Sequence, residues 1–369
     1  MGPVPHSRPL LLRLQVLNML FTPLQVGALT LPNRFVLAPL TRTRAGMEHL
    51  PNDLMAEYYA QRASGGLLIT ECTMVQEGTS AFVAEPGVYS EAQIAGWKKT
   101  TDAVHAKGGR IFMQIWHAGR AAHPGINGGV RTVSSSALAI DGEIHTPAGK
   151  VPHVVPHALS VEEIKDIVAA FAKGAKNAIA AGFDGVEVHG ANGYLIDQFL
   201  RDGCNKRTDA YGGSLENRAR FLFEVLTAVS EAIGSDRVGL RLSPLNSFNS
   251  MVDSDPVGLT AFLAEKLNDF KLAYLHLMRA DFFGVQKADV VTVARTNYKG
   301  VLIGNMGYSA EEAEQAIKDG KLDAVAFGNA YIANPDLPER VKAGAALNTP
   351  DSSTYYTPGA QGYTDYPTM

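Results

Sequence analysis

The chain has 369 residues, 46% hydrophobic and 19% charged, with a formal net charge of −4. Such a length buries a large core, either as two domains or as one large α/β barrel. The missing basic block excludes the electrostatics of a nucleic-acid binder. Two cysteines, Cys72 and Cys204, make neither a disulfide framework nor a zinc cluster, so a reducing, cytoplasmic setting is expected.

The N-terminal apolar patch, broken by Arg8 and Arg13, is too short for a membrane span and has no signal-peptide cleavage pattern. Residues 1–18 are expected to be an extension, with one domain over 19–369. From there, short apolar runs alternate with amphipathic ones. FVLAPL, GLLITECT, RIFMQIWH, GVEVHG, VGLRLSP, AYLHLMR, VLIGNMG and AVAFGNA read as eight strands. Helical patterns lie between them, among them DLMAEYYAQRAS and SLENRARFLFEVLTAVSEAIG. Strands written as continuous apolar runs are buried on both faces, as in a parallel sheet covered by helices. Eight such units predict a closed (β/α)8 TIM barrel. The open doubly wound alternative wants a glycine fingerprint after the first strand, and FVLAPLTRTRAG has none. Residues 118–158, rich in Gly, Pro, Ser and His, break the rhythm after the third strand. They are expected to form a capping hairpin or lid at the barrel mouth.

Barrel active sites form at the C-terminal strand ends. Those ends carry Pro39-Leu40-Thr41, then Gln114, Trp116 and His117, then His189 with Asn192 and Tyr194, then Arg241, Gly304-Asn305 and Gly328-Asn329. The last two strands finish in glycine-containing turns leading into helices, the setting in which backbone N–H groups bind phosphate. His189 and Asn192 are three apart, a spacing that a helical turn would put on one face. Two donors on one oxygen suit negative charge developing there. Tyr194, a neutral phenol at pH 7, can protonate a carbon. No metal ligand spacing and no Ser-His-Asp order is apparent.

PLTRTRA, QIWHAGR, HGANGYLIDQFL, DAYGGSLENRARF and GNAYIANPDLPER occur in this order, and GYTDYP closes the chain. From about Met19 to Met369 the sequence resembles the old yellow enzyme family of FMN-dependent ene reductases. The closing motif is similar to the bacterial branch of N-ethylmaleimide reductase and pentaerythritol tetranitrate reductase. The resemblance implies non-covalently bound FMN at the barrel mouth and NADPH or NADH as hydride donor. It puts Pro39, Leu40, Thr41, Cys72, Gln114 and Arg241 around the flavin ring. Gly304, Asn305, Gly328 and Asn329 fall at its phosphate. His189 and Asn192 fall at the substrate oxygen, Tyr194 at the proton donor position. Phe82 and Tyr356 border the substrate, with Trp116 beside them. One position departs: the family has Phe-Gly-Arg where this chain has Phe327-Gly328-Asn329, which removes a charged phosphate contact and predicts weaker FMN binding.

The expected activity is the reduction of an activated alkene: hydride reaches the β-carbon and Tyr194 protonates the α-carbon. Reduction of nitroesters or nitroarenes at the same site, or flavin binding without turnover, are the alternatives. A phosphate-binding isomerase or aldolase lacks a well-placed Lys or Glu at a strand end. Expected partners are the alkene and the nicotinamide cofactor, with no nucleic acid and no membrane; a monomer or homodimer is expected.

Overall fold

The computed structural model describes residues 18–369, so all of the expected extension except Asn18 lies outside the described residues. Eight strands run parallel: β1 (Phe35–Leu37), β2 (Leu67–Ile69), β3 (Ile111–Trp116), β4 (Gly185–Gly190), β5 (Val238–Leu242), β6 (Tyr274–Met278), β7 (Leu302–Asn305) and β8 (Ala324–Phe327). Each pairs with the next, and β8 pairs with β1, which closes the barrel. All eight coincide with the apolar runs of the sequence. Helices fill the crossovers: α1 (Asp53–Gln61), α2 (Glu91–Ala106), α3 (Val161–Ala180), α4 (Leu215–Ile233), α5 (Pro256–Lys266), α6 (Val290–Asn297), α7 (Ala310–Lys318), then α8 (Asn329–Ala333) and α9 (Leu337–Ala343) after β8. Capping boxes at Ser90, Ser160 and Ser309 start α2, α3 and α7, each satisfying two backbone donors that a bare helix end leaves unpaired.

The N-terminal end of the barrel is plugged by a hairpin, Leu24–Val26 with Leu29–Leu31. Val26 and Leu31 pack among Val36, Leu67, Phe112, Tyr274 and Ala324 in the barrel interior. Its turn needs glycine: Gly27 has φ +52°, and a Cβ there would lie 1.9 Å from the Asp236 carbonyl oxygen. The second strand is shorter than expected. It breaks at Thr70-Glu71-Cys72 and resumes as Thr73–Met74, which pairs with the end of β3.

A hairpin does form within 118–158, pairing Glu143–Thr146 with Gly149–Pro152. From the same segment, Ala121, Ala122 and Ile140 join Cys72, Trp116 and Tyr194 in one apolar cluster. The C-terminal segment returns to the loop after β1. Buried Arg42 donates to the carbonyls of Tyr355 (3.1 Å) and Gly362 (2.7 Å). Arg44 donates to those of Thr354, Tyr355, Gly359 and Gln361. Arg62 lies 3.7 Å over the ring of Tyr58, which stacks on Tyr363 at 4.1 Å.

Candidate active site

Side chains alternate across a strand, so every second residue of a barrel strand points inward. Inward positions near the C-terminal end are polar: Gln114 on β3, Glu187 and His189 on β4, Arg241 on β5, His276 on β6 and Asn305 on β7. They bind one another. Glu187 accepts from Gln114 Nε2 at 2.8 Å and from His276 Nδ1 at 2.8 Å. Burial alone would push its carboxyl up, but His276, Arg241 and Gln114 outweigh that and hold it below the usual range. The contact also orients Gln114: with its amide NH2 held by Glu187, its carbonyl is left to accept a donor in the cavity. Arg241 donates to Asn305 Oδ1 at 2.8 Å, while its Nε is buried without a partner. Asn305 in turn donates to the Ala326 carbonyl at 2.8 Å, so its side chain ties Arg241 to β8.

His189 is buried, and its Nδ1 accepts the Ala191 N–H at 3.2 Å. Burial, with Arg241 and His276 adding to it, holds the imidazole well below its ordinary pKa. The ring is therefore neutral with its proton on Nε2, a donor. The expected helical turn between His189 and Asn192 is absent. The strand runs to Gly190, and Asn192 (φ +58°) and Gly193 (φ +72°) are both left-handed. Asparagine is the side chain that tolerates this backbone best after glycine. Its N–H donates to Ser243 Oγ at 2.7 Å, and its Oδ1 accepts from Asn246 Nδ2 at 2.9 Å. That leaves the Asn192 NH2 as the free end.

Tyr194 precedes the short helix Leu195–Leu200, and its ring stands edge-on to both His189 and Trp116, 5.1 Å from each. Burial, then Cys72, Tyr356 and Glu85, push its phenol well above the usual range, so it keeps its proton. The wall continues outward: Trp116 meets Phe82 at 6.2 Å, and Phe82 stacks on Tyr356 at 6.2 Å. The structure thus joins His189, Tyr194, Trp116, Phe82 and Tyr356 in one row of rings. Thr41 Oγ1 lies 3.0 Å from Cys72 Sγ beside this row, after Pro39 and Leu40. The glycines divide. A Cβ on Gly304 would lie 2.3 Å from Leu322, so that glycine answers to packing. Gly307 (φ +69°) has nothing within 4 Å, and Gly328 meets only Leu40 at 3.6 Å. Asn329 is exposed at the start of α8.

These residues fit a flavin mononucleotide. They offer a buried guanidinium with an unpartnered Nε, an amide carbonyl, a hydroxyl, and open backbone at two glycine turns. The matching family model is that of the NADH:flavin oxidoreductase / NADH oxidase family, over residues 19–348. The chain belongs to this family. A probable flavin mononucleotide-dependent alkene reductase of Leishmania infantum is 53% identical over 362 residues, covering 96% of this chain and 98% of that protein. The old yellow enzyme from Trypanosoma cruzi is similar in structure, with a TM-score of 0.92 and 46% identity, covering 95% of this chain and 98% of that one. Morphinone reductase gives a TM-score of 0.91 at 45% identity, covering 95% and 96%.

Several residues of this old yellow enzyme homologue escaped the sequence reading. Glu85 accepts from Ser80, Ala81 and Phe82 (2.7–3.1 Å) and so shapes the turn that presents Phe82. Arg279 clamps the loop after β7 through the Met306 and Gly307 carbonyls at 2.8 and 2.9 Å. His276 had a signal: it is a lone polar residue at an inward position of an apolar strand, in register with Arg241. Among the described residues no helix is long and apolar enough to cross a membrane.

Proposed function

We propose that this chain is an FMN-dependent ene reductase acting on enones, enals, maleimides and nitroalkenes through His189, Asn192 and Tyr194. When bound, FMN reduced by NADPH or NADH supplies a hydride from N5 to the alkene β-carbon. His189 Nε2–H and the Asn192 NH2 donate to the carbonyl or nitro oxygen. Both are neutral donors aimed where negative charge develops, so they stabilise the transition state more than the ground state. Tyr194 gives its phenolic proton to the α-carbon. With FMN in place, Arg241 would set a cation, and Gln114 an acceptor, against the flavin pyrimidine, and Thr41 would offer it a hydroxyl. Pro39, Leu40 and the Cys72 backbone would line the ring. Backbone N–H groups of the turn that follows Gly304-Asn305, at Gly307, and of the turn at Gly328-Asn329 would take the phosphate. Trp116, Phe82 and Tyr356 form an apolar wall that orders the substrate and excludes water, and segment 118–158 closes over the mouth. The compartment is cytoplasmic and the assembly a monomer or homodimer.

The observation that carries this reading is the edge contact between His189 and Tyr194: a neutral donor and a neutral acid share one strand end. An absorbance spectrum of the purified protein, taken anaerobically before and after NADPH and then after an enone, tests it. Bleaching by NADPH and return of colour with the enone is the expected result. Protein that takes up no FMN and oxidises no NAD(P)H in the presence of an enone refutes it.

A further inference from the structure

The loop after β5 reads SPLNSFN, with polar side chains at every third position: Ser243, Asn246 and Asn249. All three grip one residue. Ser243 Oγ accepts the Asn192 N–H at 2.7 Å, Asn249 Nδ2 donates to the Asn192 carbonyl at 3.0 Å, and Asn246 Nδ2 donates to Asn192 Oδ1 at 2.9 Å. Only the Asn192 NH2 is left without one of these three partners. A carboxamide is nearly symmetric in shape, so its orientation is decided by its hydrogen bonds. Asn246 is fully buried, and its own orientation is forced. Its Oδ1 faces the backbone N–H groups of Phe248 (3.4 Å) and Phe282 (3.3 Å), which only donate. The other end must then be NH2, and the Asn192 atom facing it must be oxygen. The backbone carbonyl of Asn246 is held in addition by Arg201, which pairs with Asp197 at 3.8 Å, and Asp197 accepts the Gly193 N–H at 2.9 Å.

We propose that Asn246 is a positioning residue for the oxygen site: it fixes the Asn192 carboxamide so that its NH2, and not its oxygen, faces the substrate. This rests on the reading of Asn192 as a substrate-oxygen donor. Without Asn246 the carboxamide turns over freely, and half of its orientations present an oxygen to an oxygen. Asn246→Asp is the sharper change. One carboxylate oxygen still accepts from Phe248 and Phe282. The other accepts instead of donating, so Asn192 turns its NH2 to it and offers Oδ1 to the substrate. Asn246→Ala removes the hold without adding a charge.

The test is a double-mutant cycle on the FMN-loaded protein, using 4-hydroxybenzaldehyde as the phenolate probe and flavin absorbance as the binding signal. Asn192→Ala should weaken phenolate binding at least ~10-fold, the loss of a hydrogen bond to a charged atom. Asn246→Asp should weaken it at least as much, and Asn246→Ala by a smaller factor. In the Asn192→Ala background both changes at position 246 should have almost no further effect. Changes at 246 that weaken binding equally with and without Asn192 overturn the positioning role, because charge repulsion or a general loosening would do that. Wild-type affinity in Asn246→Asp and Asn246→Ala overturns it as well. Wild-type affinity in Asn192→Ala instead overturns the oxygen-site reading beneath it. Should Asn246→Asp not fold, the Asn246→Ala cycle alone decides the question.

Discussion

Tyr194→Phe removes one oxygen from the row of rings. Its consequence for stability follows from what the side chain does. The backbone of Tyr194 makes its own bonds, the N–H donating to the Ala191 carbonyl at 3.2 Å and the carbonyl accepting from Gln198 at 2.9 Å. Phenylalanine keeps these, and it keeps the edge contacts to Trp116 and His189. Stability should therefore move by under ~1 kcal/mol. Alkene reduction loses its general acid. Proton transfer by a placed side chain contributes ~10²–10⁴-fold, so the oxidative half-reaction should slow by about 3–5 kcal/mol in activation free energy. Flavin reduction by NADPH needs no such proton and should stay within a few-fold of wild type. Anaerobic stopped-flow at the flavin absorbance, run separately with NADPH and with 2-cyclohexenone, measures both. Equal slowing of the two half-reactions would show that Tyr194 shapes the site and does not donate the proton.

Three further predictions follow from other parts of the molecule. Asn329→Arg should restore a charged phosphate contact and lower the FMN dissociation constant roughly tenfold, as a charge-assisted hydrogen bond does; an unchanged constant on titrating the apoprotein would refute this. Burial raises the Glu71 carboxyl from 4.5 to about 7, against the pull of Arg42. A raised carboxyl contributes stability that is fully present below its unfolded pKa and lost as pH climbs through about 7, a swing of roughly 3 kcal/mol at most. Glu71→Gln should then gain on wild type in thermal melts at pH 8 relative to pH 5, and parallel melting curves would count against it. Arg44→Ala removes hydrogen bonds to four tail carbonyls; Tyr355 keeps Arg42 and Thr354 keeps Thr357, so the change should cost about 1–3 kcal/mol. It should also raise KM for the alkene more than it lowers kcat, since Tyr356 moves with the tail; an unchanged KM would separate tail and site.

The barrel was legible because strands buried on both faces must be apolar throughout, and length then separates them from helices. The site was legible at strand ends, where chemistry-bearing residues stand out against apolar runs. What stayed hidden obeys a different logic. Glu187 and His276 lie inside strands, and only the period-two alternation, applied strand by strand, would have gathered them with Gln114 and Arg241 into one network. The spacing of His189 and Asn192 suggested a helix, yet the backbone reaches the same end through a left-handed turn, which a lone Asn-Gly pair signals. Asn246 and Arg279 act through hydrogen bonds to residues far off in the chain, which no local pattern encodes; Glu85 closes its own turn, three to five residues back. The break in β2 at Glu71 is likewise set by partners elsewhere, Tyr59 and Arg42.

The clamp on the C-terminal segment joins positions 313 and 320 residues apart, from Arg42 to the Tyr355 and Gly362 carbonyls. Such separations are the slowest to close, because the loop entropy is lost before the contact repays it. A chain leaving the ribosome has made all eight strands before Tyr356 is synthesised. The barrel can therefore shut while Arg42 and Arg44 still face water and one side of the substrate mouth is open. The docking of the segment from Thr354 onward neutralises nothing, since both cations meet carbonyls, but it dehydrates them together. Completion of the pocket is in this sense a late folding step, separable from formation of the barrel.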